Sequence, residues 1–271
     1  MVLKDKSFKV LDHGAVYGFA RAPDRTYSMV FTVQFQSQDS LGKVEKEVVD
    51  VFIDFLPKVA AHAYEVKGNG AQNVALKKRV GLLYSVGWCP GTTHGEMVAV
   101  YAMQKVEDKH DPTHYIDLYD SQELVNSHSP SLGSNMAASQ HDQDGNGFAN
   151  KIHVDQDMDS IPEYYGKVFA FGQWIHVDKE IPDGLFAIPG YKVAFDLGAA
   201  TVIKGIWRGG MDLHGTTTSK VDLEQGITRW GMSIQTNRGL NQRMRSGKGH
   251  IFGVHERLHQ YYNILSAPGW Q

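Results

Sequence analysis

The chain has 271 residues, 42% hydrophobic and 21% charged, with a formal net charge of −3. This is the composition of a folded globular protein: no apolar run approaches the roughly 18 residues of a membrane span, and no global basic field announces a nucleic-acid partner. The N-terminus MVLKDKSFKVLDHG is charged where a signal peptide needs its apolar stretch, and the single Cys89 rules out an internal disulfide, so an intracellular protein, cytoplasmic or nuclear, is expected.

In chain order, the elements begin with strands. YSMVFTVQFQ, residues 27–36, alternates apolar and polar side chains after a Pro-Asp turn, as a half-buried strand does. From Ser40 the period becomes helical, with Val44, Val48, Val51, Phe52, Phe55 and Val59 near it; Asp39 or Ser40 is the expected N-cap, and Pro57 is expected to kink or end the helix. GLLYSVGW and EMVAVYAMQKV read as strands on either side of the loop CPGTTHG. Residues 126–150, rich in Ser, Asn and Gly without periodicity, read as a long loop. Short strands with regular turn signals follow: KVFAFGQWIHV, GLFAIPG, YKVAFDL, ATVIKGIW and TRWGMSIQT. This spacing predicts a mainly β protein with flanking helices, a sandwich or barrel such as a jelly roll, rather than a parallel α/β sheet.

Ile-His-Val-Asp occurs twice, ending at Asp155 and at Asp178. Histidine and aspartate two apart on a strand point to one face, so each copy could aim two ligands at one point. The best third ligand is His214, which follows the Gly-rich turn in GIWRGGMDLHG. Two histidines and a carboxylate form a facial triad that suits non-haem Fe(II) and leaves positions open for a chelating anion. Downstream, Arg229, Gly231, Ser233 and Gln235 share one strand face. An arginine directed into a barrel is costly unless it meets an anion, and its planar fork suits a carboxylate.

The ordered set His153-x-Asp155, His214 and Arg229 resembles the Fe(II)/2-oxoglutarate-dependent dioxygenase superfamily, and GLFAIPGYKVAFDLGAATVIKGIWRGGMDLHGTTTSKVDLEQGITRWGMSIQ resembles its TET/JBP-like branch. The resemblance covers roughly residues 148–236. It implies a double-stranded β-helix (jelly-roll/cupin-like) core, iron on His153, Asp155 and His214, the distal carboxylate of 2-oxoglutarate on Arg229, and O2 as the oxidant. The implied reaction couples decarboxylation to succinate and CO2 with hydroxylation or oxidative demethylation at a C–H bond, of a nucleobase or of a small molecule or amino acid. Ser233 could add a hydrogen bond to the co-substrate or be an ordinary barrel residue. Asn150 and Thr216 lie within plausible reach. The copy at His176 stands too close before His214 to leave chain for the wall strands between them, which favours His153 and Asp155. One dioxygenase-like domain then spans 1–271, with N-terminal strands and a supporting helix in 1–125, a loop at 126–150, the metal-binding β core in 148–236 and a basic segment in 237–271.

Other signals compete. Asp142, Asp144, Asn146 and Gly147 match the start of an EF-hand-like calcium loop, but the twelfth position is His153 where a bidentate Glu belongs. A calcium-stabilised jelly-roll carbohydrate-binding module, with Trp174, Trp207 and Trp230 as stacking platforms, is the alternative from another class. A zinc hydrolase lacks any HExxH or CxxC spacing, and Cys89 with His94 as a nucleophile pair is weaker again. The C-terminal segment sets Arg238, Arg243, Arg245, Lys248 and Arg257 against Glu256 alone. It could meet phosphates, as in enzymes that act on flipped bases, or be a solvated, partly helical tail.

Overall fold

A computed structural model describes residues 7–62, 64–65, 82–86, 88–90, 98–100, 135–140, 150–155, 169–176, 184–219 and 229–235. In chain order the elements are β1 (Lys9–Leu11), β2 (Ala15–Arg21), β3 (Tyr27–Gln36), helix α1 (Lys43–His62), β4 (Tyr64–Glu65), β5 (Leu82–Val86), β6 (Trp88–Pro90), β7 (Val98–Val100) and β8 (Asn135–Gln140). They continue with β9 (Asn150–His153), β10 (Ala170–His176), β11 (Leu185–Ile188), β12 (Val193–Asp196), β13 (Val202–Trp207), β14 (His214–Thr216) and β15 (Arg229–Gln235). No described helix is long and apolar enough to cross a membrane.

The strands form a five-stranded sheet, β1-β12-β11-β14-β9, and an eight-stranded sheet, β2-β3-β13-β10-β15-β8-β5-β4, with β6 and β7 paired apart. From β8 onward the chain passes back and forth between the two large sheets, so that β8, β10, β13 and β15 are neighbours in one and β9, β11, β12 and β14 in the other. Pairing within each set is antiparallel. This winding is the double-stranded β-helix expected from the resemblance. Its filling is apolar: Phe31 of β3, Trp174 of β10, Phe186 of β11, Phe195 of β12 and Trp207 of β13 belong to one buried cluster. Phe186 is central to it, with its ring 4.6 Å from Trp207, 5.5 Å from Phe195 and 5.4 Å from Trp174.

Burial corrects the carbohydrate-platform expectation. Trp174, Trp207 and Trp230 are 9%, 2% and 2% exposed, and two of them stack on each other, so no sugar can reach their faces.

Three local expectations also change. Residues 126–150 do not read through as loop, because 135–140 form β8, paired on one side with β15 and on the other with β5. Its sequence, NMAASQ, lacks the apolar alternation that announces a strand; its place between two partner strands supplies the backbone bonds instead. Helix α1 runs on to His62, so of the two outcomes expected at Pro57, a kink or an end, it does not end there. Neither Asp39 nor Ser40 caps it: Gln38–Ser40 form a separate turn, and the Ser40 hydroxyl is engaged by Ser37. The cap is at Gly42, whose amide donates to the Glu45 carboxylate at 3.0 Å while its carbonyl accepts from the Lys46 amide. That bond, with a second from Gln36, holds the Glu45 carboxyl below its ordinary range. The Asp142 loop, His94, Asp178 and the basic segment 237–271 lie outside the described residues.

Candidate metal centre

β9 and β14 are antiparallel neighbours with His153 directly opposite His214. Asp155 lies two residues past His153, just beyond the end of β9, and its carboxylate faces both rings. The fold thus joins three candidate ligands of two types, from the end of β9 and from β14, which are distant in sequence. The His153 Nε2 stands 3.4 Å and the His214 Nε2 3.3 Å from Asp155 Oδ1, and the three ligand atoms lie within 4.8 Å of one another. Atoms bound to adjacent positions of an octahedral ion at about 2.1 Å are about 3 Å apart, so the cluster is near the size such an ion needs.

The surroundings fix each ligand. Asp155 is 6% exposed, and its amide donates to the Gly209 carbonyl at 2.8 Å. His214 is 2% exposed, with its ring 5.6 Å from Phe186 and 5.4 Å from Trp207. Its Nδ1 lies 2.9 Å from the Asp212 carbonyl, which can only accept, so Nδ1 carries a proton and Nε2 is the nitrogen turned towards Asp155. Burial pushes the Asp155 carboxyl up, but hydrogen bonds and charge from His153 and His214 outweigh it and bring the group to about 2. Asp155 is therefore anionic at neutral pH. Its other oxygen, Oδ2, is buried and has no hydrogen-bond partner among the described residues. These donors and this orphaned oxygen fit a divalent ion.

Gly209 is part of the same fit. A β-carbon built there would stand 2.2 Å from Asp155 Oδ2 and 2.9 Å from the Ala170 β-carbon. Gly209→Ala is expected to displace the carboxylate and weaken divalent-metal affinity by about tenfold or more, the size of effect seen when a partner of a metal ligand is disturbed. Metal titration of the variant checks this; wild-type affinity would show that the carboxylate has room to move.

A second polar site is built around Arg229, at the start of β15 in the opposite sheet. Its guanidinium is buried, donates from Nη2 to Ser219 Oγ at 2.7 Å, and leaves Nη1 without a hydrogen-bond partner among the described residues. Gly184 lets it in: a β-carbon there would be 2.2 Å from Nη1. Burial lowers Arg229 to about 10, with the Asp196 charge working in the other direction, so it remains a cation at neutral pH. A buried cation with a free N–H is a receptor for an anion.

The expected residues divide as follows. His153, Asp155 and His214 come together. Arg229 is buried and half satisfied. His176, of the second Ile-His-Val-Asp copy, is bonded through Nε2 to the Leu197 carbonyl, a satisfied barrel histidine. The hydroxyl against Arg229 is that of Ser219; Ser233 is half-buried four residues along β15, about 13 Å at the usual strand rise. Thr216 is half-buried in β14, with Asn150 opposite it on β9. Sequence reasoning missed Ser219, Gly184 and Gly209, since a serine in TTTSK and two glycines carry no pattern of their own. The Gly-Gly pair before His214 was the one available sign of a close approach.

A family model described as the Tet-like 2OG-Fe(II) oxygenase superfamily matches residues 42–143 and 126–219. No curated protein matches. Among solved structures, NgTET1 in complex with 5mC DNA is similar at 11% identity over 86% of this chain and 83% of that chain, with a TM-score of 0.43. A 2OG-Fe(II) oxygenase family oxidoreductase from Burkholderia pseudomallei is similar at 10% identity, over 77% and 87% of the chains, with a TM-score of 0.36. A Pseudomonas putida prolyl-4-hydroxylase is similar at 9% identity, over 76% and 92%, with a TM-score of 0.38.

Proposed function

Since the chain belongs to the Tet-like 2OG-Fe(II) oxygenase superfamily, we propose that His153, Asp155 and His214 hold its iron, that Arg229 holds its 2-oxoglutarate, and that its substrate is a nucleobase within a polynucleotide. The protein is a dioxygenase of that family, with Fe(II), 2-oxoglutarate and O2 as cofactor and co-substrates. When bound, these supply the hard chemistry, in which decarboxylation to succinate and CO2 is coupled to oxidation of a substrate C–H bond. The protein's residues bind and orient. Asp155 and the two imidazoles offer a carboxylate and two ring nitrogens, the donor set that suits a non-haem Fe(II) with positions left for a co-substrate. Phe186 and Trp207 wall His214 from water. Arg229 and Ser219 present N–H and O–H groups to a carboxylate in a dry setting, where a charge-assisted pair is strongest.

The observation that carries the reading is the convergence of His153 and His214 on Asp155 Oδ1, beside an Oδ2 that has no hydrogen-bond partner among the described residues. The substrate class draws support from the excess of Arg and Lys over Glu in residues 237–262, which suits phosphates. A small-molecule or amino-acid substrate is the second reading, favoured by the net charge of −3. The test begins anaerobically: Fe(II) and 2-oxoglutarate added together should give the weak visible charge-transfer band of the chelate, and Asp155→Ala should lose it. Succinate release is then measured with methylated and unmethylated oligonucleotides and with free amino acids. Stimulation by amino acids alone would overturn the nucleobase assignment, and no band at all would overturn the metal centre.

A further inference from the structure

The turn that joins β13 to β14, from Arg208 to Leu213, meets two of the three proposed ligands through its backbone. The Gly209 carbonyl accepts from the Asp155 amide, and the Asp212 carbonyl accepts from Nδ1 of His214. The turn is closed from within, since the amides of Met211 and Asp212 both donate to the Arg208 carbonyl, at 3.0 and 2.9 Å.

Its side chains close it a second time. Arg208 grips the Asp212 carboxylate as a fork, Nε to Oδ2 at 2.8 Å and Nη2 to Oδ1 at 3.1 Å, with only 13% and 15% of the two side chains exposed. The Tyr191 hydroxyl donates to the same Oδ1 at 3.0 Å and accepts from Arg208 Nη2. Tyr191 comes from another connection, the short helical turn Pro189–Tyr191 between β11 and β12. That turn is itself tight: Lys192 leaves it in the left-handed region at φ 50 and returns its amide to the Pro189 carbonyl. The clamp thus ties the ligand-bearing turn to a rigid corner of the five-stranded sheet. Burial, then the bond to Asp212, raises the Tyr191 phenol, so it stays a donor. Burial alone would lower Arg208, but the Asp212 hydrogen bond and charge prevail and raise it.

We propose that Tyr191, Arg208 and Asp212 are positioning residues for the metal centre: their clamp holds the Asp212 carbonyl on Nδ1 of His214 and so presents Nε2 beside Asp155 before an ion arrives. The proposal rests on the metal reading above. The clamp stands where an orienting partner of a ligand is needed, and it places a largely buried ion pair and a phenol on a turn of six residues. A partly desolvated ion pair adds little net stability, which makes orientation the better account of it.

The experiment titrates the full metal-free chain with Co(II) alone, against a fluorescent chelator, for wild type, Tyr191→Phe, Arg208→Met, Asp212→Asn and the Arg208→Met/Asp212→Asn double variant. Arg208→Met and Asp212→Asn are expected to raise the Kd about 10- to 100-fold, and Tyr191→Phe by less. The double variant is expected to bind no worse than the weaker single one, because both remove one clamp. In Zn(II)-loaded protein the long-range 1H–15N spectrum should show the His214 Nδ1–H protected in wild type and exchanging in the variants. A role confined to packing would lower the melting temperature and leave Kd and the Nδ1–H signal unchanged; that result overturns the clamp. Should Arg208→Met fail to fold, Tyr191→Phe, which removes one oxygen, decides by the same readouts. If wild type binds no Co(II), the metal reading falls and the clamp with it; if wild type binds and the variants match it, only the clamp falls.

Discussion

His214→Ala is expected to abolish Fe(II) binding and, with it, the formation of succinate from 2-oxoglutarate. The ring places Nε2 3.3 Å from Asp155 Oδ1, and its loss leaves one imidazole and a carboxylate to hold the ion. Disturbing a mere partner of a metal ligand costs about 10- to 100-fold in affinity, so removing a ligand is expected to cost more than about 100-fold. Alanine also opens a cavity beside Phe186 and Trp207, at about 2 to 3 kcal/mol of stability. His214→Gln fills much of that space without an imidazole nitrogen. It should melt nearer to wild type than His214→Ala does and still fail to turn over. Retained turnover in either variant sinks the assignment of His214.

Arg229→Ala is the complementary case, with a large effect on one ligand and none on the other. A buried cation removed from its anion costs about 3 kcal/mol or more, so KM for 2-oxoglutarate should rise by about two orders of magnitude. The Kd for Fe(II) should stay within about twofold, since Arg229 is on β15 of the eight-stranded sheet and the metal cluster on β9 and β14 of the five-stranded one. Arg229→Lys keeps the charge but loses the planar fork, and should fall between. A control removes the carboxylate instead: a 2-oxo acid with no distal acid group should bind wild type and Arg229→Ala alike. An unchanged KM in Arg229→Ala would mean that the orphaned Nη1 serves something else.

What could be read from the sequence follows how locally each feature is encoded. β3 was legible because alternation is written into ten consecutive residues, and the His-x-Asp pair because the strand period aims both side chains one way. His214 and Arg229 were reached through the order of the whole set, which carries information that no single histidine has. β8 was not legible, since its strand character comes from β5 and β15 on either side and not from NMAASQ. Asp39 and Ser40 are good capping residues that lost to Gly42, where the Glu45 side chain could fold back onto a free amide. Ser219 was missed for a related reason. It follows β14 and meets the first residue of β15, and a contact between a residue outside the strands and one ten positions on leaves no mark in the sequence of either.

Apart from β11 and β12, no two strands that follow each other among the eight of the roll pair with one another; β9 waits for β14, and β10 waits for β13 and β15. Loop closure must come first, so the roll folds slowly compared with a chain built from hairpins. The candidate metal centre cannot form from neighbouring strands alone, because β9 and β14, which carry its two halves, are distant in sequence. An ion that binds the closed roll and not the open chain stabilises it as a whole, by mass action. If the three ligands hold iron, its supply would set not only how many molecules are active but how many newly made chains stay closed.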